Sequence, residues 1–138
     1  MEIALAHGQK RKVKRFSEIV EPNQVFTAAD FCDPEQSEAD IEDFLGPDLH
    51  LKLVNTAYDL KEENILTPKD ISESGVNSPT IIKQVEAIWQ LKPKLPEFNH
   101  FVPASYLIKN PKIIHDSNAD DAVKRFERFF QKLNSLIA

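Results

Sequence analysis

The chain ends in the segment DSNADDAVKRFERFFQKLNSLIA, residues 116–138, which is the strongest helix signal in the sequence. Its apolar residues recur at intervals of three and four, the spacing that places side chains on one face of an α-helix. Asp116, Ser117 or Asn118 suits the amino-terminal cap, and further acidic residues suit the positive end of the helix dipole. We expect a long amphipathic helix that buries Val123, Phe126, Phe130, Leu133 and Ile137 as a seam, widened by Phe129 and Leu136.

The composition is that of one folded domain. Hydrophobic residues make up 41% and charged residues 28% of the 138 residues, which favours a globular fold over disorder. The single cysteine, Cys32, excludes an internal disulfide and a multi-cysteine zinc site, so we expect reduced, cytoplasmic conditions. No apolar run reaches the roughly 18–20 residues that span a bilayer, so we expect no membrane association. The net charge of −5 opposes nonspecific attraction of the whole chain to nucleic acid.

Local signals upstream of residue 116 predict mainly short helices. The nine prolines suit defined helix starts and stops, and the three glycines are too few for a fold rich in tight hairpins. The expected elements are a helical turn or two at residues 2–7, a strand at 24–27, a loop at 33–43, a helix from Pro47 to about Tyr58, a second helix starting at Ser78-Pro79, and an aromatic connector at 98–106.

The segment ADIEDFL, residues 39–45, carries three carboxylates in four residues. If it is extended, Asp40 and Glu42 project to one side and Asp43 to the other, and the pair offers oxygen ligands to a divalent cation. The alternative is a solvated cluster at the amino end of a helix, stabilised by the helix dipole. The spacing alone leaves both interpretations open.

Two groups of cations are candidates for phosphate contacts. The basic run of Lys10, Arg11, Lys12, Lys14 and Arg15 suits phosphate binding, or else the exposed face of a connector. Lys83 lies in an otherwise apolar helix, where it either extends its amine to water or places a cation beside a metal-bound phosphate. Lys69 is the rival for that role.

Three segments in order resemble the carboxyl-terminal part of OLD-family proteins (overcoming lysogenization defect), which join an ABC-type ATPase to a TOPRIM nuclease domain. They are ADIEDFL (39–45), FNHFVPASY (98–106) and RFERFFQKLN (125–134), and LKLVNTAY (51–58) is similar to the helix that follows the family's acidic motif. The resemblance implies a predominantly helical α/β chain with one or two strands. About residues 1–45 would be the remnant of a TOPRIM core, and about 46–138 its helical extension.

The family's activity, DNA cleavage in phage defence, implies roles for the acidic segment. Metal-dependent phosphodiester hydrolysis would use Mg²⁺ or Mn²⁺. By resemblance, Glu42 and Lys83 would be catalytic, Asp40, Glu42 and Asp43 would bind metal, and the basic run would contact DNA.

The family's Asp-x-Asp pair and the P-loop of its ATPase are absent from these 138 residues. We therefore expect a fragment or a split gene product that is inactive or weakly active alone. ATP would act only through the absent ATPase domain, and the chain would form a homodimer or associate with the missing half. The alternative function is a non-enzymatic helical interaction domain whose last helix docks onto a partner or onto a second copy.

Overall fold

The computed structural model describes residues 4–6, 18–21, 24–33 and 36–137. Two short strands, β1 (Ala4–Ala6) and β2 (Val25–Thr27), pair in parallel with Ala4 opposite Val25. Helices follow: α1 (Pro47–Ala57), α2 (Pro68–Glu73), α3 (Ile81–Gln90), α4 (Phe101–Lys109), α5 (Lys112–His115) and α6 (Asp120–Ile137). Short 3-10 helices occupy Ala28–Phe31, Ile41–Leu45 and Glu62–Asn64. The predominantly helical class with one or two strands is confirmed.

The amino-terminal prediction was wrong. Residues 4–6 form a strand rather than part of a helix, because pairing with β2 supplies hydrogen bonds that an isolated helical turn lacks. The prediction of a strand at residues 24–27 is confirmed, since β2 spans Val25–Thr27.

Three short helices begin with the same hydrogen bond between an aspartate side chain and the backbone. In each, the carboxylate of an aspartate accepts a hydrogen bond from the backbone N–H three residues earlier, which satisfies a donor at the helix start. The N···O distances are 2.7 Å for Thr27–Asp30, 2.8 Å for Asp40–Asp43 and 2.7 Å for Thr67–Asp70. Asp30, Asp43 and Asp70 therefore stabilise the first turns of these helices.

The predicted helix from Pro47 is confirmed, with Pro47 in the first turn. Gly46, which precedes it, has φ 77°, a conformation that favours glycine. The second predicted helix starts at Ile81 instead of Ser78-Pro79, because Ser78 Oγ accepts the backbone N–H of Thr80 and forms a local turn first.

The predicted aromatic connector was wrong, since most of it is α4. Pro103 is the third residue of α4, in the first turn, where a helix does not need its backbone N–H. Asn99 Oδ1 accepts the N–H of Phe101, which stabilises the start of the helix. None of the described helices combines the length and apolarity required to cross a membrane.

Three apolar clusters form the core of the described residues, and the smallest joins Leu49 to Ala119 and Ala122. The first joins β2, the 3-10 helices Ala28–Phe31 and Ile41–Leu45, and α6 through phenylalanine rings that meet edge to face: Phe26, Phe31, Phe44 and Phe129. The second lies between α1 and α3 and buries Leu51, Val54, Leu66, Ile81, Val85, Ile88 and Trp89.

Helix α6 faces the core in a different register from the one expected. Phe129 is 6% exposed, whereas the predicted seam residues Val123, Phe130 and Ile137 are 44%, 55% and 68% exposed. The other two predicted seam residues, Phe126 and Leu133, are partly buried against the first cluster, and so is Leu136, so this part of the prediction is confirmed. Phe129 fits between three aromatic rings of that cluster, so the tertiary contacts rotate the buried stripe toward it.

Arginine side chains fix α6 to the preceding segments. Arg125 donates to the carbonyl oxygen of Phe44 at 2.9 Å, and Arg128 donates to that of Phe31 at 3.0 Å. Arg128 also forms an ion pair with Asp33 at 3.2 Å. The Arg125 bond holds α6 against the acidic segment, and the Arg128 bonds hold it against residues 31–33.

Candidate functional site

The acidic segment, residues 39–45, forms a 3-10 turn rather than the extended loop expected from the sequence. Asp40 precedes the turn with extended backbone, and Glu42 and Asp43 lie within its first turn. The prediction that Asp40 and Glu42 project to the same side was wrong. It assumed an extended segment, whereas side chains of a 3-10 helix recur on one face every three residues instead of every two. The three carboxylates lie at the amino end of the 3-10 helix Ile41–Leu45, as expected if the cluster belongs to a helix start instead of an extended loop.

Asp43 is a structural link between two helix starts. Its Oδ2 accepts the N–H of Asp40 at 2.8 Å, and its Oδ1 accepts the N–H of Ile81, the first residue of α3, at 2.9 Å. Burial raises the pKa of Asp43. The two backbone hydrogen bonds oppose that rise, and the carboxylates of Asp40 and Glu42 add to it. Both oxygens of this predicted metal ligand are thus engaged with backbone.

Lys83 is close to the acidic segment. Its Nζ lies 3.2 Å from Oε1 of Glu38, two residues before Asp40. The rival lysine, Lys69, forms an ion pair with Glu73 instead, at 3.6 Å. Of the two candidate lysines, Lys83 is the one that pairs with a carboxylate near the acidic segment, although its partner, Glu38, is not one of the predicted metal ligands.

The predicted phosphate-contacting run lies outside the described residues. It comprises Lys10, Arg11, Lys12, Lys14 and Arg15.

The predicted metal ligands do not form a complete set. Asp43 is bonded to backbone, and Glu42 lines an apolar cavity. Within the described part of the chain, no three histidine, cysteine, aspartate or glutamate side chains gather as a metal-binding group. The described residues therefore do not fit a self-sufficient magnesium or manganese centre.

The cavity beside the acidic segment has a volume of about 240 Å³. It lies between that segment, α1, α3, α4 and α6, so distant parts of the sequence form its wall. Its apolar lining includes Leu45, Leu53, Ile82, Leu107 and Phe126.

Glu42, His50 and His100 are the ionisable residues of the cavity lining. Glu42 is half-buried and His100 is exposed, so the wall reaches solvent beside them. His100 Nε2 lies 3.1 Å from Oε1 of Glu86, on α3. The carboxylates of Glu42 and Glu86 therefore lie near the solvent-facing part of the cavity wall.

His50 lies in α1 and is 2% exposed. Among the described residues, neither Nδ1 nor Nε2 has a hydrogen-bond partner. Burial lowers the pKa of His50 to about 4, and the nearby charge of His100 lowers it in the same direction. The ring is therefore neutral at pH 7, with one nitrogen as a donor and the other as an acceptor.

Comparisons with protein-family models, with curated proteins and with solved structures give no match for this chain.

The sequence did not single out His50, although it contains a signal for it. The four histidines lack partners at helical spacing, which argues against a zinc helix but says nothing about a lone buried ring. His50 stands between Leu49 and Leu51, and Val54 follows one turn later on the same face. That position predicts a buried imidazole. Whether the ring nitrogens of His50 find hydrogen-bond partners depends on the tertiary structure, which this sequence pattern does not predict.

Proposed function

We propose that this chain is a non-enzymatic helical interaction domain that pairs with a second copy through the outer row of α6, Val123, Phe130 and Ile137. The exposure of this row carries the proposal. The three side chains recur at intervals of seven residues, so they form one line on the helix. Phe129, on the adjacent face, holds the same helix to the core.

The row is symmetric about Phe130. In an antiparallel pair of α6 helices, Phe130 meets Phe130 of the other copy, and Val123 meets Ile137. Such a two-fold interface uses the same patch on both copies. Both acidic residues of the first turn, Asp120 and Asp121, lie at the amino end. Antiparallel packing separates these acidic ends, whereas parallel packing would place them side by side.

The pairing should be concentration-dependent, because three side chains make a narrow contact compared with an obligate dimer interface. Sedimentation equilibrium across a dilution series measures it directly. Phe130→Glu should give a monomer at every concentration, since it places a charge at the centre of the seam. Phe101→Glu is the matched control, because Phe101 is 79% exposed on a different helix. A monomeric wild type, or equal loss of pairing in both variants, would refute the proposal.

A second candidate is the OLD-like nuclease portion suggested by the resemblance. The observation that favours it is the ion pair of Lys83 with Glu38, which puts a cation beside a carboxylate two residues before Asp40. In this proposal the chain contributes a partial site, and another polypeptide supplies the Asp-x-Asp pair and the ATPase. No catalytic step is assigned, since the described residues do not complete the metal centre.

Manganese binding, followed by electron paramagnetic resonance, tests the second candidate. Weak binding by the wild type that is lost in Glu42→Ala supports a partial site. Asp48→Ala is the control, because Asp48 is an exposed carboxylate in the first turn of α1. Binding that is absent from the wild type, or equally reduced in both variants, would reject it.

A further inference from the structure

The cavity between the acidic segment and α4 opens to solvent beside Ile41, His100 and Ala104, which are the exposed residues of its lining. The buried part of its wall is mainly apolar and includes Leu53 and Ile82. An open apolar surface of this kind gains free energy when the apolar part of a ligand displaces water from it. A molecule that fills the cavity therefore has an apolar body.

The charge at this opening is negative. Glu42 follows Ile41 in the chain and lines the cavity, and its carboxylate forms no hydrogen bond or ion pair with the described residues. Glu86 lies beside the exposed His100, with its Oε1 3.1 Å from the imidazole Nε2. His50 adds no charge, because its ring is neutral at pH 7, and its buried nitrogens are out of reach of a ligand. The opening therefore attracts a cation and repels an anion.

The cations closest in sequence to the cavity lining are bound to other groups. These contacts join Lys52 Nζ to Ser117 Oγ at 2.7 Å, Lys83 Nζ to Glu38 Oε1 at 3.2 Å, and Arg125 to the carbonyl oxygen of Phe44 at 2.9 Å. Among the described residues, no lysine or arginine lines the cavity itself. The carboxylate of Glu42 therefore has no lysine or arginine beside it in the wall.

One side of the wall is held in place by aromatic packing. Phe98 lines the cavity, stacks on Tyr58 and packs against Trp89. The hydroxyl of Tyr58 accepts the N–H of Asn99 at 2.8 Å and donates to its carbonyl oxygen at 3.1 Å. Because these contacts exist without a ligand, the ordering cost of binding against this side is small.

The volume limits the apolar body to about two fused rings. An apolar cavity of about 150 Å³ holds a single benzene ring, so about 240 Å³ suits about ten non-hydrogen atoms. A positively charged group would lose its hydration if it entered the apolar part of the cavity, which is costly. It therefore remains at the opening, on a short arm, where water still reaches it.

From these features we propose that the cavity binds a small amphipathic amine. The two-ring body of the amine contacts Leu53, Ile82 and Phe126. Its ammonium group lies at the opening, in the negative potential of Glu42 and Glu86. None of the outer-row residues of α6 lines the cavity, so this site is independent of the proposed pairing.

Three fluorescent probes with the same naphthalene rings test the proposal on the wild-type chain: the cation 2-(1-naphthyl)ethylamine, the neutral 2-(1-naphthyl)ethanol and the anion 1-naphthylacetate. The titrations are run at low salt and about pH 8, where histidine side chains are ordinarily neutral. Because exposed charge pairs are weak, the amine should bind about fivefold more tightly than the alcohol. The anion should bind more weakly than either. At about 1 M salt the affinities for the amine and the alcohol should converge, since salt screens the charges.

Variants assign the preference to the two carboxylates. In the double variant Glu42→Gln with Glu86→Gln, the affinity for the amine should fall to about that for the alcohol, and the affinity for the alcohol should not change. Glu73→Gln is the matched control, because Glu73 is exposed on α2 and does not line the cavity. Circular dichroism establishes whether the double variant folds. If it does not, the charge series and its salt dependence on the wild type still decide.

Carbon-13 spectra of methyl groups locate the bound rings. The amine and the alcohol should both shift the methyl signals of Leu53 and Ile82, which are buried in the cavity wall. An ammonium that binds only to surface carboxylates would leave these signals unchanged.

Four outcomes would overturn the proposal. Failure of the amine to bind would exclude the site. Equal affinity for the amine and the alcohol at low salt would mean an apolar cleft without charge selection, of the kind that accepts a partner's side chain. A preference for the amine that survives in a folded double variant, or binding without methyl shifts, would place the cation elsewhere on the chain. Affinity for the amine that falls as the protein concentration rises would mean that a second copy fills the cavity.

Discussion

Asp43 and Ile81 are joined by a hydrogen bond of 2.9 Å, from the first backbone N–H of α3 to a carboxylate oxygen 38 residues earlier. The other oxygen of the same carboxylate caps its own 3-10 turn. The acidic segment is therefore part of the packing of α3, whatever else it does.

Removing the Asp43 carboxylate should destabilise the fold. Asp43→Ala leaves the backbone N–H groups of Asp40 and Ile81 without their acceptor, and the expected loss in the free energy of unfolding is about 2–3 kcal/mol. Chemical denaturation measures the loss. Glu42→Ala should change stability by less than about 0.5 kcal/mol, because Glu42 is only half-buried. Equal losses in the two variants would contradict the structural role of Asp43.

Neighbouring phenylalanines of α6 should differ sharply in their contribution to stability. Phe129→Ala removes a buried ring that contacts Phe26, Phe31 and Phe44, which should cost about 3–5 kcal/mol. Phe130→Ala should cost less than about 1 kcal/mol, since the ring is largely exposed. Thermal unfolding at a concentration where the protein is monomeric compares them. A larger loss for Phe130 would mean that α6 packs in the register first expected from the sequence.

His50 should make the protein less stable as the pH falls from about 6.5 to about 4. The unfolded chain protonates this histidine near its ordinary pKa of 6.5, whereas the folded protein holds the pKa at about 4, so protons favour unfolding within that window. The shift corresponds to about 3 kcal/mol. Asp43, whose pKa is raised, contributes with the opposite sign, because the folded state takes up its proton first.

Comparing the variants isolates the histidine. The difference in unfolding free energy between wild type and His50→Leu should change across this pH window. Parallel curves for wild type and His50→Leu would show that the imidazole is not buried as described.

Cys32 should react slowly with thiol reagents in the folded protein. The side chain is buried, its Sγ–H contacts the carbonyl oxygen of Ala28 at 3.7 Å, and burial raises the pKa of the thiol to about 11. Little thiolate is therefore present at pH 7–8, and access is limited. Reaction with Ellman's reagent should accelerate strongly in denaturant. Rapid reaction of the native chain would show that the first apolar cluster is open.

Local signals in the sequence were enough for several elements. Pro47 and the apolar spacing after it predict α1, β-branched and aromatic residues predict β2, and periodicity predicts α6. The start of α3 and the existence of α4 were missed, because a turn at Ser78 and the first-turn position of Pro103 decide them.

Features that depend on distant contacts could not be predicted. Strand β1 forms only through pairing with β2, and Phe129 is buried because it fits between rings from three other segments. The bond from Asp43 to Ile81 and the cavity beside His50 each join segments far apart in sequence. Helical periodicity limits which face of a helix is buried, but not which neighbour it contacts.

Disulfide trapping on α6 tests the central claim, antiparallel pairing about Phe130, most directly. In a Cys32→Ser background, oxidised glutathione should convert Phe130→Cys into a covalent dimer. Val123→Cys alone should stay monomeric, and Val123→Cys with Ile137→Cys should cross-link. Phe101→Cys, on α4, is the control for random collision. Cross-linking of Phe130→Cys and of the double variant, with neither Val123→Cys nor Phe101→Cys reacting, is the predicted result. Failure of Phe130→Cys to cross-link, or equal cross-linking of Val123→Cys or Phe101→Cys, would contradict it.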